Sequence, residues 1–150
     1  MRCTYLKLIG YDRFRLNNSK VLEITFDSNL QLFLGTNGSG KSSLMEQILP
    51  SAPNPADFSK DGGKIAHYEK DGQVFVLTSM FGDPHPHSFL VDGKEQNLSH
   101  NITSQREMIK RYFGLTPELA AIILGKETFS KMKPPRRKEV FLKLSDSNYD

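Results

Sequence analysis

The sequence predicts an α/β fold: a strand–loop–helix unit near the N-terminus, antiparallel hairpins in the middle and a helical C-terminal part. Three observations predict it. The apolar run Leu30-Gln31-Leu32-Phe33-Leu34 feeds a glycine-rich stretch that opens an amphipathic helix. Two strand-like runs flank Asp71-Gly72, a pair suited to a tight hairpin turn. The last third carries helix start and stop residues in place of strand patterns.

Each element has its own signal. Tyr5, Leu6, Leu8 and Ile9 around Lys7 read as a first strand, Thr4–Ile9, ended by Gly10. Val21–Phe26 reads as a second strand and Leu30–Leu34 as a third, buried one. Ser42–Leu49 reads as a helix with Leu44, Met45, Ile48 and Leu49 as its apolar stripe, stopped by Pro50 and Pro53. Residues 50–63 read as a polar loop. Lys64–Glu69 and Gln73–Met80 form a hairpin, and Phe89–Val91 adds a short strand before Asp92-Gly93, so residues 64–96 are β-rich. Ser104 and Glu107 form a capping box for a helix ending near Phe113, with Gly114 as its C-terminal cap. Thr116 and Pro117 open a second helix, and Pro134-Pro135 precede a third over Arg136–Leu144. Residues 104–144 are thus the helical part.

With 150 residues the length fits one domain, large enough to bury about two thirds of its unfolded surface. The composition, 37% hydrophobic and 25% charged, is that of a soluble globular protein. A net charge of +3 is compatible with a nucleotide or nucleic-acid partner and demonstrates neither. The single cysteine, Cys3, excludes an internal disulfide, and no apolar run approaches the length needed to cross a bilayer, so the expected setting is the cytoplasm, with no membrane partner.

The chemistry sits in Gly35-Thr36-Asn37-Gly38-Ser39-Gly40-Lys41-Ser42, an ungapped match to G-x-x-x-x-G-K-[ST]. This is the phosphate-binding loop of P-loop NTPases. Its glycines let the backbone approach phosphates closely, and successive N–H groups form an anion nest at a helix N-terminus. Gly35, Thr36, Asn37, Gly38, Ser39, Gly40, Lys41, Ser42 and Ser43 are therefore candidate ATP contacts. Lys41 is the catalytic candidate, bridging the β- and γ-phosphates, and Ser42 is the candidate Mg²⁺ ligand. Ser43 is assigned to the α-phosphate.

The loop, read as Gly-Thr-Asn-Gly-Ser-Gly-Lys-Ser-Ser-Leu over 35–44, resembles the first ATPase motif of the Rad50/SbcC branch of SMC-like ABC ATPases. Tyr5–Phe14 resembles that family's opening strand and nucleotide-facing turn, and the hairpins resemble its antiparallel sheet. Bacteriophage recombination nuclease subunits of this type share the likeness, which would put the chain in host cytoplasm. The resemblance covers nearly the whole chain, but only the loop is specific. It implies an ABC-type N-terminal head lobe with a mixed sheet over 1–150, a fragment of a longer chain with a coiled coil after 150. It also implies partners: the chain's own C-terminal ATPase lobe, a second copy in a homodimer through a nucleotide sandwich, an Mre11/SbcD-type nuclease subunit and double-stranded DNA. Signature and Walker B residues belong to the other lobe.

One departure stands out. The family's glutamine after the helix matching 117–124 falls on Leu124, in Ile123-Leu124-Gly125-Lys126-Glu127. Either the alignment slips, Glu127 or another group substitutes, or the γ-phosphate is handled differently. Two functions follow. One is ATP hydrolysis coupled to DNA end processing, repair or recombination once the head is completed. The other is a non-hydrolysing, nucleotide-dependent structural or DNA-clamping module. A self-contained P-loop kinase or GTPase is disfavoured by the hairpin-rich middle.

Weaker patterns remain. Arg13 or Arg15 is a candidate nucleotide contact, with Arg13 the one carried forward; two arginines on a turn are also ordinary surface. Tyr11 is an alternative beside the adenine. Lys126, Lys131, Lys133, Arg136, Arg137, Lys138 and Lys143 could form a phosphate-backbone footprint or a solvated face. His85 and His87 near Asp83 read as a simple loop, since a metal site needs more ligands at suitable spacing. The carboxylate set of a nuclease is not evident.

Overall fold

The computed structural model describes every residue except Asn18, Asn29, Asp83, His85 and 145–150, and the side chains of Arg15, Leu16, Asn17, Lys143 and Leu144 also lie outside the description. Six strands form one sheet: β1 (Arg2–Tyr11), β2 (Val21–Thr25), β3 (Phe58–Lys70), β4 (Gln73–Met80), β5 (His87–Val91) and β6 (Lys94–Glu95). Their order is β2-β1-β3-β4-β5-β6. All the described pairings are antiparallel. The expected mixed sheet is therefore not what these residues build.

The period-two alternation decides which face is covered. Leu6, Leu8, Ala66, Phe75, Leu77, Phe89 and Val91 are buried on one face. Lys7, paired with Glu23 at 3.0 Å, stands on the other. Helix α2 (Ile102–Phe113) lies on the buried face, with Ile109 and Gln105 pointing in. The Phe113 ring packs on Phe75 at 4.9 Å and the Tyr112 ring on Phe89 at 5.3 Å. Gln105 satisfies its amide inside the core. It accepts from Ser79 Oγ (2.7 Å) and donates to the Thr78 and Ser88 carbonyls (2.8 and 2.9 Å).

Several boundaries differ from the expectations, each for a physical reason. β1 runs through Gly10, which takes φ +60; a Cβ there would stand 1.9 Å from Ser59 Oγ, so only glycine lets β3 come this close. β3 begins at Phe58, inside the expected polar loop, because Gly62 and Gly63 let it hug its neighbours. α2 is capped three residues before Ser104, since Asn101 Oδ1 accepts from the Ser104 N–H at 2.8 Å and takes the capping place. The Ser104 hydroxyl bonds Ser99 instead.

The largest difference lies at Leu30–Leu34. The run is coil, and Leu30, Leu32 and Leu34 are 86%, 79% and 84% exposed. Only Phe33 tucks in, edge-on to Phe26 at 6.4 Å. A strand needs a neighbour to satisfy its backbone, and no described strand pairs here.

The chain divides into two units, Met1–Gly114 and Leu115–Asp150. The second holds α3 (Pro117–Ile123), a short 3-10 turn (Phe129–Lys131) and α4 (Pro134–Leu144). Thr116 Oγ1 caps α3 by accepting from the Leu119 N–H at 3.3 Å. Both prolines of Pro134-Pro135 lie in the first turn of α4, where no N–H is needed. No described helix is long and apolar enough to cross a membrane.

Candidate functional site

The glycine-rich loop leads directly into α1 (Lys41–Ile48). Gly40 is the N-cap, at φ 90 and ψ 9, and it offers no side-chain acceptor to the helix. The first intrahelical bond runs from the Leu44 N–H to the Gly40 carbonyl at 2.8 Å. The N–H groups of Lys41, Ser42 and Ser43 are thus left without an intrahelical acceptor, at the positive end of the helix dipole. Gly38 also takes a left-handed φ, +83, with open space where a Cβ would point. At Gly40 a Cβ would meet Phe14 Cε1 at 2.6 Å, and at Gly35 it would meet Ser39 Oγ at 2.5 Å.

Lys41 curls back over the loop. Its Nζ donates to the Gly35 and Thr36 carbonyls, both at 2.7 Å, and to Ser39 Oγ at 3.5 Å. The Ser39 N–H closes a turn on the Thr36 carbonyl at 3.2 Å. These bonds hold the loop curled with a cation at its mouth. The contact to Ser39 is the longest, and an incoming anion would displace it most readily.

A hollow of ≈ 540 Å³ opens here, lined by Asp12, Arg13, Asn37, Gly38, Gly40, Lys41, Ser42 and Ser43. The fold thus gathers most of the predicted residues, with Gly35, Thr36 and Ser39 forming the back of the loop. Arg13, on a 3-10 turn after β1 (Asp12–Asn17), joins the lining. The Ser42 hydroxyl is exposed and Ser43 half-buried. The donors fit a phosphate chain: backbone N–H groups, an ammonium and a guanidinium around a cradle that a Cβ would fill. They also fit magnesium held beside that chain, through the Ser42 hydroxyl oxygen.

Tyr11, the alternative beside the adenine, is largely covered and lines the edge of a second hollow. It is 4% exposed, packed between Phe14 (5.3 Å) and Phe58 (5.0 Å). Gln47 Nε2 donates to its hydroxyl at 3.4 Å, tying α1 to the end of β1. Burial pushes the Tyr11 phenol up, and the Asp57 and Glu46 carboxylates add to that. The ring is part of the loop's foundation.

Sequence reasoning passed over Asp12. It lines this hollow and a second of ≈ 580 Å³ between Ile9–Asp12, Ser19–Val21, Ser59 and Asp61. Its only sequence signal was its place beside Arg13.

In the second unit, Arg136 and Arg137 are spent locally. Arg136 pairs with Glu139 (3.0 Å) and Glu127 (3.8 Å). Arg137 donates to the Ser130 and Met132 carbonyls (3.2 and 3.0 Å) and lies over the Phe129 ring at 5.7 Å. Lys131, Lys133 and Lys138 are exposed. Leu124 ends α3 as its C-cap, at φ −80 and ψ 0. His87 is buried in β5, while Asp83 and His85 lie outside the described residues. Among the described residues no group of three or more His, Cys, Asp or Glu is placed to hold a metal ion.

A protein-family scan finds no matching model. The chain is similar to a Rad50 ATPase. That relative, from Nanoarchaeum equitans (strain Kin4-M), is described as "DNA double-strand break repair Rad50 ATPase". It is 25% identical over 153 residues, covering 84% of this chain and 19% of the relative. The chain therefore spans about a fifth of the relative's length. The likeness is distant and supports a Rad50-like relationship at most.

Proposed function

We propose that this chain is an ATP-binding lobe of P-loop, ABC-type architecture, and that it grips the triphosphate of Mg-ATP on Gly35–Ser42. One observation carries the reading: the glycine-capped N-terminus of α1 opens, without a side-chain cap, into a hollow flanked by Lys41 and Arg13. The N–H groups of the loop would bind the phosphates, and Lys41 would move from the Thr36 and Ser39 oxygens onto the β- and γ-phosphates. Ser42 would ligate Mg²⁺, whose charge, when bound, helps neutralise the transferring phosphoryl group. The hollow sharing Asp12 offers room for the nucleoside end.

The name of the similar protein extends the reading to DNA repair. On this reading a C-terminal lobe completes the head, two copies enclose the nucleotide, and hydrolysis serves DNA end processing with an Mre11/SbcD-type nuclease in the cytoplasm. The unpaired Leu30–Leu34 run supports a completing lobe, because strands supplied from outside these residues would bury it and make the sheet mixed. A second reading, a clamp that binds ATP without hydrolysing it, is favoured by Leu124 standing where the resemblance expects a glutamine.

Calorimetric titration of the full-length protein with Mg-ATP, beside Lys41→Ala, tests binding. Saturable binding that Lys41→Ala abolishes is expected; equal heats from both proteins would overturn the site. DNA-stimulated phosphate release in the presence of the nuclease would exclude the clamp.

A further inference from the structure

Lys64 sits in the middle of β3, in register with Leu8 of β1 and Ser79 of β4. It is 1% exposed. Its Nζ donates to the Leu49 carbonyl at 2.8 Å and the Ser51 carbonyl at 3.1 Å. Leu49 is the C-cap of α1, the helix whose other end is the phosphate loop. No described carboxylate forms an ion pair with Lys64. The titratable group acting on it through charge is Cys3 of β1, whose thiol burial pushes up to about 11, so it stays neutral. Burying a lysine without a counter-charge is costly. Here the compensation comes from carbonyl oxygens at the negative end of a helix dipole.

We propose that Lys64 is a positioning residue for the phosphate loop: by gripping the C-terminal end of α1 it fixes where Gly40, Lys41 and the open N–H groups stand against the sheet. The proposal rests on the reading of Gly35–Ser42 as the nucleotide site. α1 has eight residues, so it is about 12 Å long, one stiff rod. A slip at Leu49 moves Gly40 with it. Lys70 supplies an internal control. Its Nζ donates to the Tyr112 carbonyl at 2.7 Å, the same grip on α2, which carries no loop residue.

The test uses the full-length protein and four variants: Lys41→Ala, Lys64→Met, Lys64→Gln and Lys70→Met. Two readouts are taken, Mg-ATP affinity from pH 6.5 to 8.5 and amide hydrogen exchange of the peptide spanning 35–45 without nucleotide. Lys64→Met is expected to weaken binding about tenfold, as small misplacements of a binding constellation do, and to speed exchange in 35–45. Lys70→Met does neither. Burial brings the Lys64 ammonium down to about 7. Wild-type affinity therefore falls across this pH range relative to Lys64→Met, which has no proton to lose there. Equal affinity, pH profile and loop exchange in wild type and Lys64→Met would overturn the proposal. If wild type fails to bind, or Lys41→Ala binds as well, the nucleotide reading is what has failed, and the exchange rates decide on Lys64. Should Lys64→Met not fold, Lys64→Gln takes the same readouts.

Discussion

Replacing Gly40 by alanine should damage nucleotide binding more than the same change at Gly38, by an amount the backbone sets. Both glycines are left-handed, at φ +90 and +83. An alanine at either position carries the left-handed penalty of about 1–2 kcal/mol. At Gly38 nothing lies within 4 Å of the added carbon. At Gly40 the carbon would stand 2.6 Å from Phe14 Cε1, and that ring is braced against Tyr11 at 5.3 Å. Relieving such an overlap costs about a further 1–3 kcal/mol. The unbound loop relaxes to escape the strain, so the strain returns when the bound shape is imposed. At 1.4 kcal/mol per factor of ten, Gly38→Ala should lose roughly 5- to 30-fold in affinity and Gly40→Ala roughly 30-fold to several thousandfold. Competition against a fluorescent ATP analogue in full-length protein measures both. Gly40→Ala binding as tightly as Gly38→Ala would refute the geometry on which the loop assignment stands.

Lys64→Met should raise fold stability at pH 6 even as it weakens binding. The folded chain holds this amine near 7 against an ordinary 10.5, so between these values the unfolded chain carries the extra proton. The site's contribution is poorest below pH 7 and improves as pH rises to about 10.5, by several kcal/mol; denaturant midpoints of wild type should climb relative to the variant, and parallel curves would contradict this. Gln105→Leu strands Ser79 Oγ and two carbonyls in the core, a loss of about 3–5 kcal/mol by the usual cost of unsatisfied buried groups; an unchanged melting temperature would count against the network. Cys3, raised from 9.0 to about 11, should carry about a hundredfold less thiolate at pH 8 and react that much more slowly with iodoacetamide than a free thiol; alkylation at the free-thiol rate would show the strand end is open.

Local chemistry was the legible part of this sequence. The Asp71-Gly72 and Asp92-Gly93 turns, the Gly114 cap and the Thr116-Pro117 helix start each depend on a few adjacent residues. The curled glycine-rich turn that opens α1 is legible for the same reason, because its shape lies in contiguous backbone. Leu30–Leu34 misled because apolar alternation reports what a segment would do beside a partner, and these residues supply none. The burial of Tyr11 was not legible, because Phe14, Phe58 and Gln47, which close over it, are set by tertiary packing. Asp12 and Lys64 escaped notice because their meaning comes from residues distant in the chain.

The three outward leucines carry one more consequence, for the newly made chain. A ridge of bare apolar side chains on a coil stretch that no described strand pairs is the kind of surface that neighbouring nascent chains and chaperones seize. Solubility of the chain made alone should therefore hinge on those side chains. Exchanging Leu30 and Leu32 for lysine should keep it in the supernatant where the parent sequence sediments.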